Sequence, residues 1–487
     1  HKSYREFLRK LETVGELRRI AEPVATELQI TELADREMKS PGGGKALLFE
    51  KPTIDGKESE FPLAINAMGS TSRMAMALGL GSVDELADQM QFIMKAKPPK
   101  TMRDAVTLLR NGVDLIHARP KNVKDGPCKE VISNLEGEGL TLADLPILKC
   151  WPDDGGRFVT LPTVYTKDPD TGERNVGMYR MQIYDERTTG MHWQVHKVGA
   201  RHGKRYYERG ERMPVAVALG GDPAYTFAAT APLPDGLDEI LFAGFARKKS
   251  VPLIKCETVD IEVPADSDFV LEGYVDPTES RAEGPFGDHT GFYTAVDDYP
   301  VFHLTAITRR KDAIYPATIV GIPPMEDFYM GAASVKVFLP IFRMNFPEII
   351  DMALPAEGVF HNLVFVSIRK QYAWQAYKIM HGLWGMGQMM FAKYIVVVDD
   401  DCDVHNTSEV LFRMCANTDP QRDSTFVKNP SDSLDHAPTV EAQGSHMGMD
   451  ATRKLPGEGH KRGWPELVRM EAGVREWADK FLSGEST

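Results

Sequence analysis

The chain opens with two helical patterns. In the first, apolar side chains recur at helical spacing until Gly15 ends the pattern. Its apolar positions are Tyr4, Phe7, Leu8, Leu11 and Val14. The second helix is predicted to begin after Thr26, whose hydroxyl can cap it while the Gln29 side chain reaches back. Strands and two more helices are predicted at 46–50, 61–69 and 72–96. Together these patterns indicate an N-terminal α/β unit, to which we assign residues 1–118.

The middle of the chain, residues 119–325, has a different pattern. Short β-like runs such as VPLIKCETVDIEV, DFVLEGYV and VFHLTAITRR are broken by Gly, Pro and Asp turns. One helical segment, at 235–248, interrupts them. Such spacing is typical of a compact barrel or sandwich.

In the third segment, residues 326–487, helical and strand patterns alternate again. Short, nearly all-apolar strands such as NLVFVSI and KYIVVV lie between helices, which predicts a parallel sheet covered on both faces. The chain ends in a predicted helix over 465–482, and we expect it to pack against a partner subunit.

Composition excludes several classes of protein. The 487 residues are 42% hydrophobic and 26% charged, as in an ordinary globular protein with room for two or three domains. A net charge of -13 argues against a general nucleic-acid binder. The five cysteines are scattered, so disulfides and zinc fingers are not expected. No run approaches the roughly 18 apolar residues of a membrane span, and the charged opening does not resemble a signal peptide. We therefore expect a cytoplasmic protein.

Familiar nucleotide and protease motifs are incomplete. PGGGKA lacks the spacing of a phosphate-binding loop, and GLGSVD lacks the third glycine of a dinucleotide fingerprint, so both are interpreted as turns. His192 and His196 are four residues apart, as in zinc proteases, but Trp193 stands where such proteases need a glutamate. A metalloprotease is therefore disfavoured.

The densest polar cluster extends from Asn175 to Gly203. Its first part alternates like a strand, yet it is rich in side chains that bind ions or ligands: Asn175, Arg180, His192, His196, Lys197, Arg201 and His202. One strand pair could place several of them on one face. From the residues alone, a polar β-hairpin with solvated charges is an equal alternative.

A second cluster, RAEGPFGDHTGFY, spans Arg281 to Tyr293. Glu283 and Asp288 are five residues apart across glycines and a proline, so they lie on a tight loop, where glycine lets the backbone approach a ligand. A carboxylate beside a second carboxylate and an arginine is a natural acid/base device. The competing interpretation is an ordinary turn between strands.

Two acidic groups have open interpretations. Asp238 and Glu239 begin an apolar helix, where they either complement the helix dipole or supply an inward ligand at Glu239. The run Asp399 to Asp401 ends a strand, which is a common ligand position in open α/β sheets but is more often a structural turn.

Taken together and in this order, these segments resemble the UbiD family of reversible, prenylated-flavin-dependent decarboxylases. The resemblance covers almost the whole chain and rests on GELRRI, ITELADR, LPILKCWPDD, NVGMYRMQ, PVAVALGGDP, EGPFGDHTGFY, KQYAWQAYKIM and VVVDDD. It implies an α/β (α+β) protein: a split β-barrel flavin-binding domain of the flavin-reductase type, framed by the N-terminal unit, with a C-terminal α/β oligomerisation domain.

The resemblance also implies site residues. Those expected to bind a metal ion, Mn2+ or Mg2+ with K+ as a further candidate, are Asn175, His196 and Glu239. Those expected to contact prenylated FMN are Asn175, Met178, Tyr179, Arg180, His192, Trp193, Gln194, His196, Lys197 and Glu239, with Lys370 on its phosphate. The expected catalytic network is Arg180, Glu283 and Asp288.

The implied activity is a carboxy-lyase acting on aromatic or α,β-unsaturated acids. Loss of CO2 leaves a carbanion-like centre that no side chain can delocalise, so a cofactor must supply the electron sink. The resemblance implies that a separate flavin prenyltransferase supplies that cofactor and that the enzyme is a homo-oligomer, either a dimer or a hexamer.

Substrate alternatives stay open at this point. Family members in ubiquinone synthesis resemble RWLxHRGG where this chain has HWQVHKVG, which weakens assignment to 4-hydroxy-3-polyprenylbenzoate. Such a substrate would bring the enzyme into peripheral contact with a membrane. A menaquinone-pathway acid or a small phenolic or heteroaromatic acid is the alternative. Two alternatives to a decarboxylase also stay open: a flavin reductase and a non-catalytic subunit.

Overall fold

The computed structural model describes residues 1–95, 118–134, 139–193, 198–233 and 237–483. Its N-terminal region is an α/β unit. Its helices are α1 (Tyr4–Thr13), α2 (Gln29–Met38), α3 (Thr71–Ala77) and α4 (Asp84–Lys95). Its strands are β1 (Leu17–Ile20), β2 (Val24–Ala25), β3 (Ala46–Phe49), β4 (Pro52–Ile54), β5 (Lys57–Glu58) and β6 (Leu63–Ile65). The helices and strands that the sequence predicted occur here in the predicted order, but the short strands β1, β2, β4 and β5 were not predicted.

The two opening helices differ in how well their sequence predicted them. Helix α1 buries Tyr4, Phe7, Leu8 and Leu11, as its spacing predicted, and Ser3 caps it by accepting from Glu6 N. The predicted cap of α2 is wrong. The hydroxyl of Thr26 donates instead to the Thr53 carbonyl beside the β2–β4 pair. The helix begins at Gln29, after Leu28, which has a positive φ of 63° and forms no side-chain cap.

The central region is mainly β-structure. Its strands are β7 (Lys121–Asn122), β8 (Val131–Asn134), β9 (Phe158–Val159), β10 (Thr163–Lys167), β11 (Arg174–Gly177), β12 (Met181–Gln182), β13 (Thr188–Gly190), β14 (Met213–Leu219), β15 (Pro252–Lys255), β16 (Glu262–Pro264), β17 (Phe269–Glu283), β18 (Asp297–Arg309) and β19 (Tyr315–Ala317). Its helices are α5 (Val198–Arg209), α6 (Pro223–Thr230) and α7 (Glu239–Ala246).

One large antiparallel sheet organises this region, with strand order β11-β10-β14-β17-β18-β13 and β8 also pairing with β18. The long β17–β18 hairpin is bulged near Gly273 and between Asp276 and Ser280, and bulges bend a hairpin and increase its twist. Within the described ranges the sheet does not close on itself. The structure thus confirms an α/β protein with a β-rich centre and does not confirm the barrel.

The first two regions share a sheet. Strand β19 pairs in parallel with β6 and completes the four-stranded order β1-β3-β6-β19. Buried Asp268 adds to this junction, because its carboxylate accepts from Gly221 N and from Ile314 N, just before β19. The chain therefore returns to the N-terminal sheet before it enters the C-terminal region.

The C-terminal region is a second α/β layer. Its helices are α8 (Glu326–Asn345), α9 (Gln375–Trp384), α10 (Thr407–Asn417), α11 (Pro420–Asp423) and α12 (Ala472–Ser483), and its strands are β20 (Ile349–Ala353), β21 (Leu363–Ile368), β22 (Tyr394–Asp399), β23 (Ser424–Pro430) and β24 (Gln443–Asp450). The three inner strands are parallel, but β20 and β23 run antiparallel at the edges. The predicted all-parallel sheet is therefore correct only in its centre.

The last helix is shorter than predicted. It begins at Ala472 instead of residue 465, and apolar side chains before and within it, such as Val468 and Trp477, are exposed. Helices gain most of their stability from packing, and this segment packs little within its own chain. Among the described residues, no helix combines the length and apolar content needed to cross a membrane.

Candidate active site

Three charged side chains from distant parts of the chain meet in the central region. Arg180 follows strand β11; its Nε donates to Glu283 Oε1 at 3.0 Å, and its Nη2 lies 2.9 Å from the same oxygen in an ion pair. Its Nη1 donates to Asp288 Oδ2. The guanidinium also lies over the Phe286 ring, 4.6 Å from the centroid. All three charged side chains are at most about one-tenth exposed, so one arginine pairs with two buried carboxylates.

The loop after β17 fixes the two carboxylates. Glu283 is the last residue of the strand, and Asp288 lies beyond a turn whose Gly287 has no room for a side chain. A Cβ on Gly287 would be 2.2 Å from Cδ1 of Trp151. Asp154 ties the same two segments together, since it accepts from Gly287 N at 2.8 Å and from Trp151 N at 2.9 Å. The segment LPILKCWPDD thus supports the loop that carries Asp288.

Both carboxyl groups are held in the ionised form. Burial alone would raise the pKa of Glu283, but the hydrogen bond from His192 and the charge of Arg180 outweigh it and lower that pKa. Burial likewise opposes ionisation of Asp288, yet the hydrogen bond and charge of His289, with the charge of Arg180, hold its pKa well below the usual value. The resting site therefore contains two carboxylates.

His192 completes the cluster on the side of Glu283. Its Nδ1 is 2.7 Å from Glu283 Oε2, and because that carboxylate accepts, Nδ1 carries the proton. The ring lies 4.3 Å from the ring of Tyr299. Its Nε2 is buried and has no hydrogen-bond partner among the described residues, which leaves an acceptor available to a ligand in the neutral ring.

A second group of predicted residues lies where β11 meets helix α7. Glu239, the first residue of α7, accepts from Val176 N at 3.1 Å, next to buried Asn175. Burial, aided by the charge of Asp238, raises the pKa of Glu239 to about 7. The Nδ2 atom of Asn175 has no acceptor within the described residues. A buried carboxyl with a raised pKa beside an amide without a described acceptor fits a cation and its anionic ligand.

The third expected metal ligand, His196, lies outside the described residues, as do Gln194 and Lys197. Within the parts of the chain that the structure describes, no group of three or more His, Cys, Asp or Glu side chains is arranged to hold a metal ion. Asn175 and Glu239 are thus brought together, and the role of His196 stays a prediction.

Three other predicted cofactor contacts, Met178, Tyr179 and Trp193, pack in the interior. The Tyr179 and Trp193 rings meet edge to face at 6.5 Å. Gly199 of α5 makes room for them, because a Cβ there would lie 2.9 Å from Trp193 Nε1. That nitrogen has no described partner. The two aromatic rings thus support the segment between Arg180 and α5, and Met178 packs against the neighbouring core.

Lys370 has partners that its predicted role does not require. Its ammonium group, 3% exposed, contacts oxygen atoms of Asp450, Thr452, Arg453 and Glu458. These acceptors use its three protons, so the contacts give no support to the predicted role as a phosphate ligand. Asp399 accepts from Arg453 N, and Asp401 pairs with Arg413. These contacts give Asp399 and Asp401, at the end of β22, a structural role.

Sequence reasoning missed three polar residues around these clusters. Arg174 donates to Asp238 through Nη2 at 3.2 Å, while its buried Nε and Nη1 have no described partner. Asp154 holds the loop at Gly287, and His289 contacts Asp288. The sequence offered two clues to these residues: Arg174 directly precedes Asn175, and His289 directly follows Asp288. Neither clue reveals a contact with a residue distant in the sequence.

Comparison with known protein families shows to which family the chain belongs. The Rift-related, N-terminal and C-terminal domains described for 3-octaprenyl-4-hydroxybenzoate carboxy-lyase match residues 121–323, 8–93 and 328–451. The chain belongs to the UbiD family. It is therefore a carboxy-lyase, and the family resemblance read from its sequence is confirmed.

UbiD-class proteins of full length are similar to the chain. An uncharacterised protein from Archaeoglobus fulgidus is 47% identical over 98% of this chain and 97% of its own. The closed form of vanillic acid decarboxylase from Sedimentibacter hydroxybenzoicus has a TM-score of 0.84 at 25% identity, covering 100% of this chain and 99% of that one. The UbiD-class enzyme HmfF from Pelotomaculum thermopropionicum, solved with FMN, has a TM-score of 0.80 at 26% identity, covering 98% and 99%. An evolved dimeric form of HmfF was solved with prFMN.

The packing of Gly287 yields a test of the site geometry. Gly287→Ala places a methyl group against Trp151 and displaces Asp288 from Arg180. We expect turnover to fall roughly 100-fold, because small misplacements at a reacting centre are costly. The free energy of unfolding should fall by about 1–3 kcal/mol, because the extra methyl group overpacks the site. The control is Gly463→Ala, whose Cβ would meet nothing within 4 Å. Equal activity of the two variants would contradict this account of the loop.

Proposed function

We propose that the chain is a reversible, non-oxidative decarboxylase of aromatic or α,β-unsaturated acids that uses prenylated FMN and a divalent metal ion. The observation that carries the proposal is the buried contact of Arg180 with both Glu283 and Asp288. A guanidinium between two carboxyl groups can bind the carboxylate of an incoming substrate, and a neighbouring carboxyl group can carry a proton. Removal of three charges from water is costly and gives little net stability to a fold, which favours a functional role for the cluster.

The cofactor proposal rests on the unsatisfied groups near the start of α7. Prenylated FMN, when bound, supplies the electron sink that decarboxylation of an unsaturated acid requires. We propose that Asn175, Glu239 and His196 hold Mn2+ or Mg2+, for which oxygen and imidazole ligands are suitable. The buried Nε and Nη1 of Arg174, which have no partner among the described residues, offer donors for a phosphate nearby. The open antiparallel sheet that contains β11 would then be the flavin-binding sheet, equivalent to a split barrel.

The chain's own residues divide the remaining work. Arg180 orients the substrate carboxylate through charge-assisted hydrogen bonds. Glu283 takes up a proton from solvent and delivers it to the carbon that CO2 has left, which returns Glu283 to its ionised form. Its pKa is lowered while Arg180 is fully engaged with it; sharing Arg180 with a substrate carboxylate weakens that effect and raises its proton affinity. His192 orients Glu283 through the bond from Nδ1, and Asp288 holds the other side of the guanidinium.

We propose a small phenolic or related aromatic acid as the substrate. The solved structures with the same overall fold include a vanillic acid decarboxylase. The buried Nε2 of His192, in the same cluster, has no partner among the described residues, and a phenolic hydroxyl can form a hydrogen bond with an imidazole nitrogen. The alternative is a polyprenylated or menaquinone-pathway acid. A homo-oligomer is expected, since a dimeric form is named for HmfF.

The direct test is co-expression with a flavin prenyltransferase, followed by CO2-release assays on a panel of aromatic acids. Glu283→Gln should then lower turnover by roughly 10² to 10⁴, because a positioned proton donor contributes about that factor. Flavin binding should persist, since Gln keeps the size of the side chain.

The matched control is Glu279→Gln on the same strand, a partly exposed residue that pairs with Arg281 and His303. It should retain wild-type turnover. Full activity in Glu283→Gln would refute the role of that carboxylate. Absence of CO2 release from every acid by the flavin-loaded wild type would refute the function.

Removal of the charge of Glu239 tests the metal proposal. Glu239→Gln keeps an acceptor for Val176 N but not the anion, so we expect Mn2+ affinity to fall roughly 100-fold or more, beyond the 10–100-fold typical of outer-shell changes. FMN affinity should fall with it. Isothermal titration with Mn2+ and quenching of FMN fluorescence measure both. Glu262→Gln, on strand β16, is the control, and unchanged Mn2+ affinity in Glu239→Gln would exclude that ligand.

A further inference from the structure

A cavity of about 510 Å³ lies at the C-terminal end of helix α7. Helix α7 begins at Glu239, beside the proposed metal site, and its eight residues span roughly 12 Å. The cavity is therefore at the opposite end of this helix from the proposed metal ligand. The charged side chains among the described residues that line it are Lys2, Lys121, Arg247, Lys248, Lys249 and Asp266. Five of these six side chains are basic.

The four lysines of this cavity lack a counter-ion among the described residues. None of their ammonium groups forms an ion pair or a hydrogen bond with the part of the chain that the structure describes. Two other lysines of the central region are paired: Lys129 with Glu257 at 2.6 Å, and Lys255 with Asp260 at 2.9 Å. Lysines that converge without a partner repel one another, and a bound anion relieves that repulsion. The cavity thus concentrates positive charge in a chain whose net charge is -13.

The other two charged residues of the cavity, Arg247 and Asp266, are connected through Tyr225. Arg247 Nη1 donates to the Tyr225 hydroxyl, which donates in turn to Asp266 Oδ1 at 2.9 Å. The Arg247 guanidinium also pairs with Asp222 at 3.0 Å. Both lining residues are buried, whereas the four lysines are exposed. Because the Asp266 carboxylate is already engaged with its own donor, the lysines stay available for an anion that enters the cavity.

The backbone at the end of α7 supports a functional role for Lys248. Its N–H donates to the Phe245 carbonyl at 3.1 Å, and the N–H of Lys249 donates to the Gly244 carbonyl at 3.1 Å. This pair of bonds is the pattern of a Schellman motif, in which the left-handed residue after the helix is usually glycine. Here that residue is Lys248, with a φ of +53°, although a side chain is unfavourable in this conformation. Such strain is concentrated at functional sites, so a lysine in place of glycine points to a use for its charge.

We infer that the cavity binds a small soluble molecule that carries two or more linked phosphate groups. Lysine ammonium groups are point charges on flexible stems, which suits phosphate oxygens. Four of them provide more positive charge than a single carboxylate balances, and linked phosphates supply the matching negative charge. The volume of the cavity is within the range of about 300–1,000 Å³ that is typical of small-molecule sites. Phosphorylated lipid headgroups share this chemistry, but lysines around a cavity instead of a flat surface favour a soluble ligand.

Titration with inorganic pyrophosphate tests the inference on the intact protein, without flavin or added metal. We expect saturable binding in isothermal titration calorimetry, and weaker binding at higher salt because salt screens exposed charges. Lys121→Gln and Lys249→Gln should each lower the affinity roughly 10-fold, because each variant loses a hydrogen bond between two charged groups. Since the measurement does not depend on turnover, failure of the proposed decarboxylase activity would leave its result standing.

The controls remove the same charge from exposed lysines that do not line the cavity. Lys57→Gln on β5 and Lys428→Gln on β23 should bind pyrophosphate with wild-type affinity. If Lys121→Gln and Lys249→Gln bind it as tightly as these controls, pyrophosphate occupies another site and the inference is wrong. Absence of binding to the wild type would overturn it as well. Vesicles of phosphatidylcholine with phosphatidylinositol bisphosphate test the lipid source: sedimentation of the protein with them, without binding of free pyrophosphate, would exclude a soluble ligand.

Lys248→Gly separates ligand binding from folding at the end of α7. Glycine adopts a φ near +53° without strain, so without ligand the variant should unfold at a temperature no lower than that of the wild type. Its affinity for pyrophosphate should nevertheless fall roughly 10-fold. Circular dichroism during heating measures the unfolding temperature, and calorimetry measures the affinity. A lower unfolding temperature with wild-type affinity would show that Lys248 only ends the helix, and would contradict its role in binding.

Discussion

The site depends on one constraint: two carboxylates, Glu283 and Asp288, are buried with a single arginine between them. Burial of an unpaired carboxylate is strongly unfavourable, and breaking a buried pair by removal of one partner costs several kcal/mol. Each carboxylate accordingly has a second donor, His192 for Glu283 and His289 for Asp288. The cluster is stable only while every member is in place, so the surrounding backbone must hold all five side chains together.

The sheet and its loops meet that requirement. Strand β17 delivers Glu283 at its end, and the turn to Asp288 is fixed by the contact of Gly287 with Trp151 and by the bonds of Asp154. Arg180 enters from the segment after β11, directly after Tyr179, whose ring packs against Trp193. These contacts keep the charges within hydrogen-bond distance. This is how a scaffold pre-organises groups for a reaction.

The sequence predicted what local patterns determine. The spacing in α1 identified its buried face, and the glycines around Glu283 and Asp288 indicated a tight loop with two acids. Convergence of Arg180 with that loop came only from the family resemblance, because contacts between residues more than a hundred positions apart leave no periodic signal. Local rules also failed where tertiary contacts compete: Thr26 bonds across a strand pair instead of capping α2, and residues 465–471 lack the packing that would extend the last helix.

Other features were not accessible to sequence reasoning at all. The edge strands β20 and β23 run antiparallel because of the path of the chain, which strand composition does not encode. Lys370 lies on a conspicuous motif, but its partners at Asp450 and Glu458 are 80 and 88 residues away. The contact between His289 and His361 likewise needs the fold to become visible. Each is a long-range polar contact, the kind of interaction that a linear pattern does not describe.

The central claim is that the buried cluster faces the reacting carbon of a bound aromatic acid. The most direct measurement is a crystal structure of the protein, purified after co-expression with a flavin prenyltransferase and soaked with an aromatic carboxylate that it does not turn over. The account predicts the ligand carboxylate about 3 Å from the guanidinium of Arg180, with its ring between Glu283 and the flavin. A flavin bound elsewhere, or a ligand that leaves Arg180 uncontacted, would contradict it.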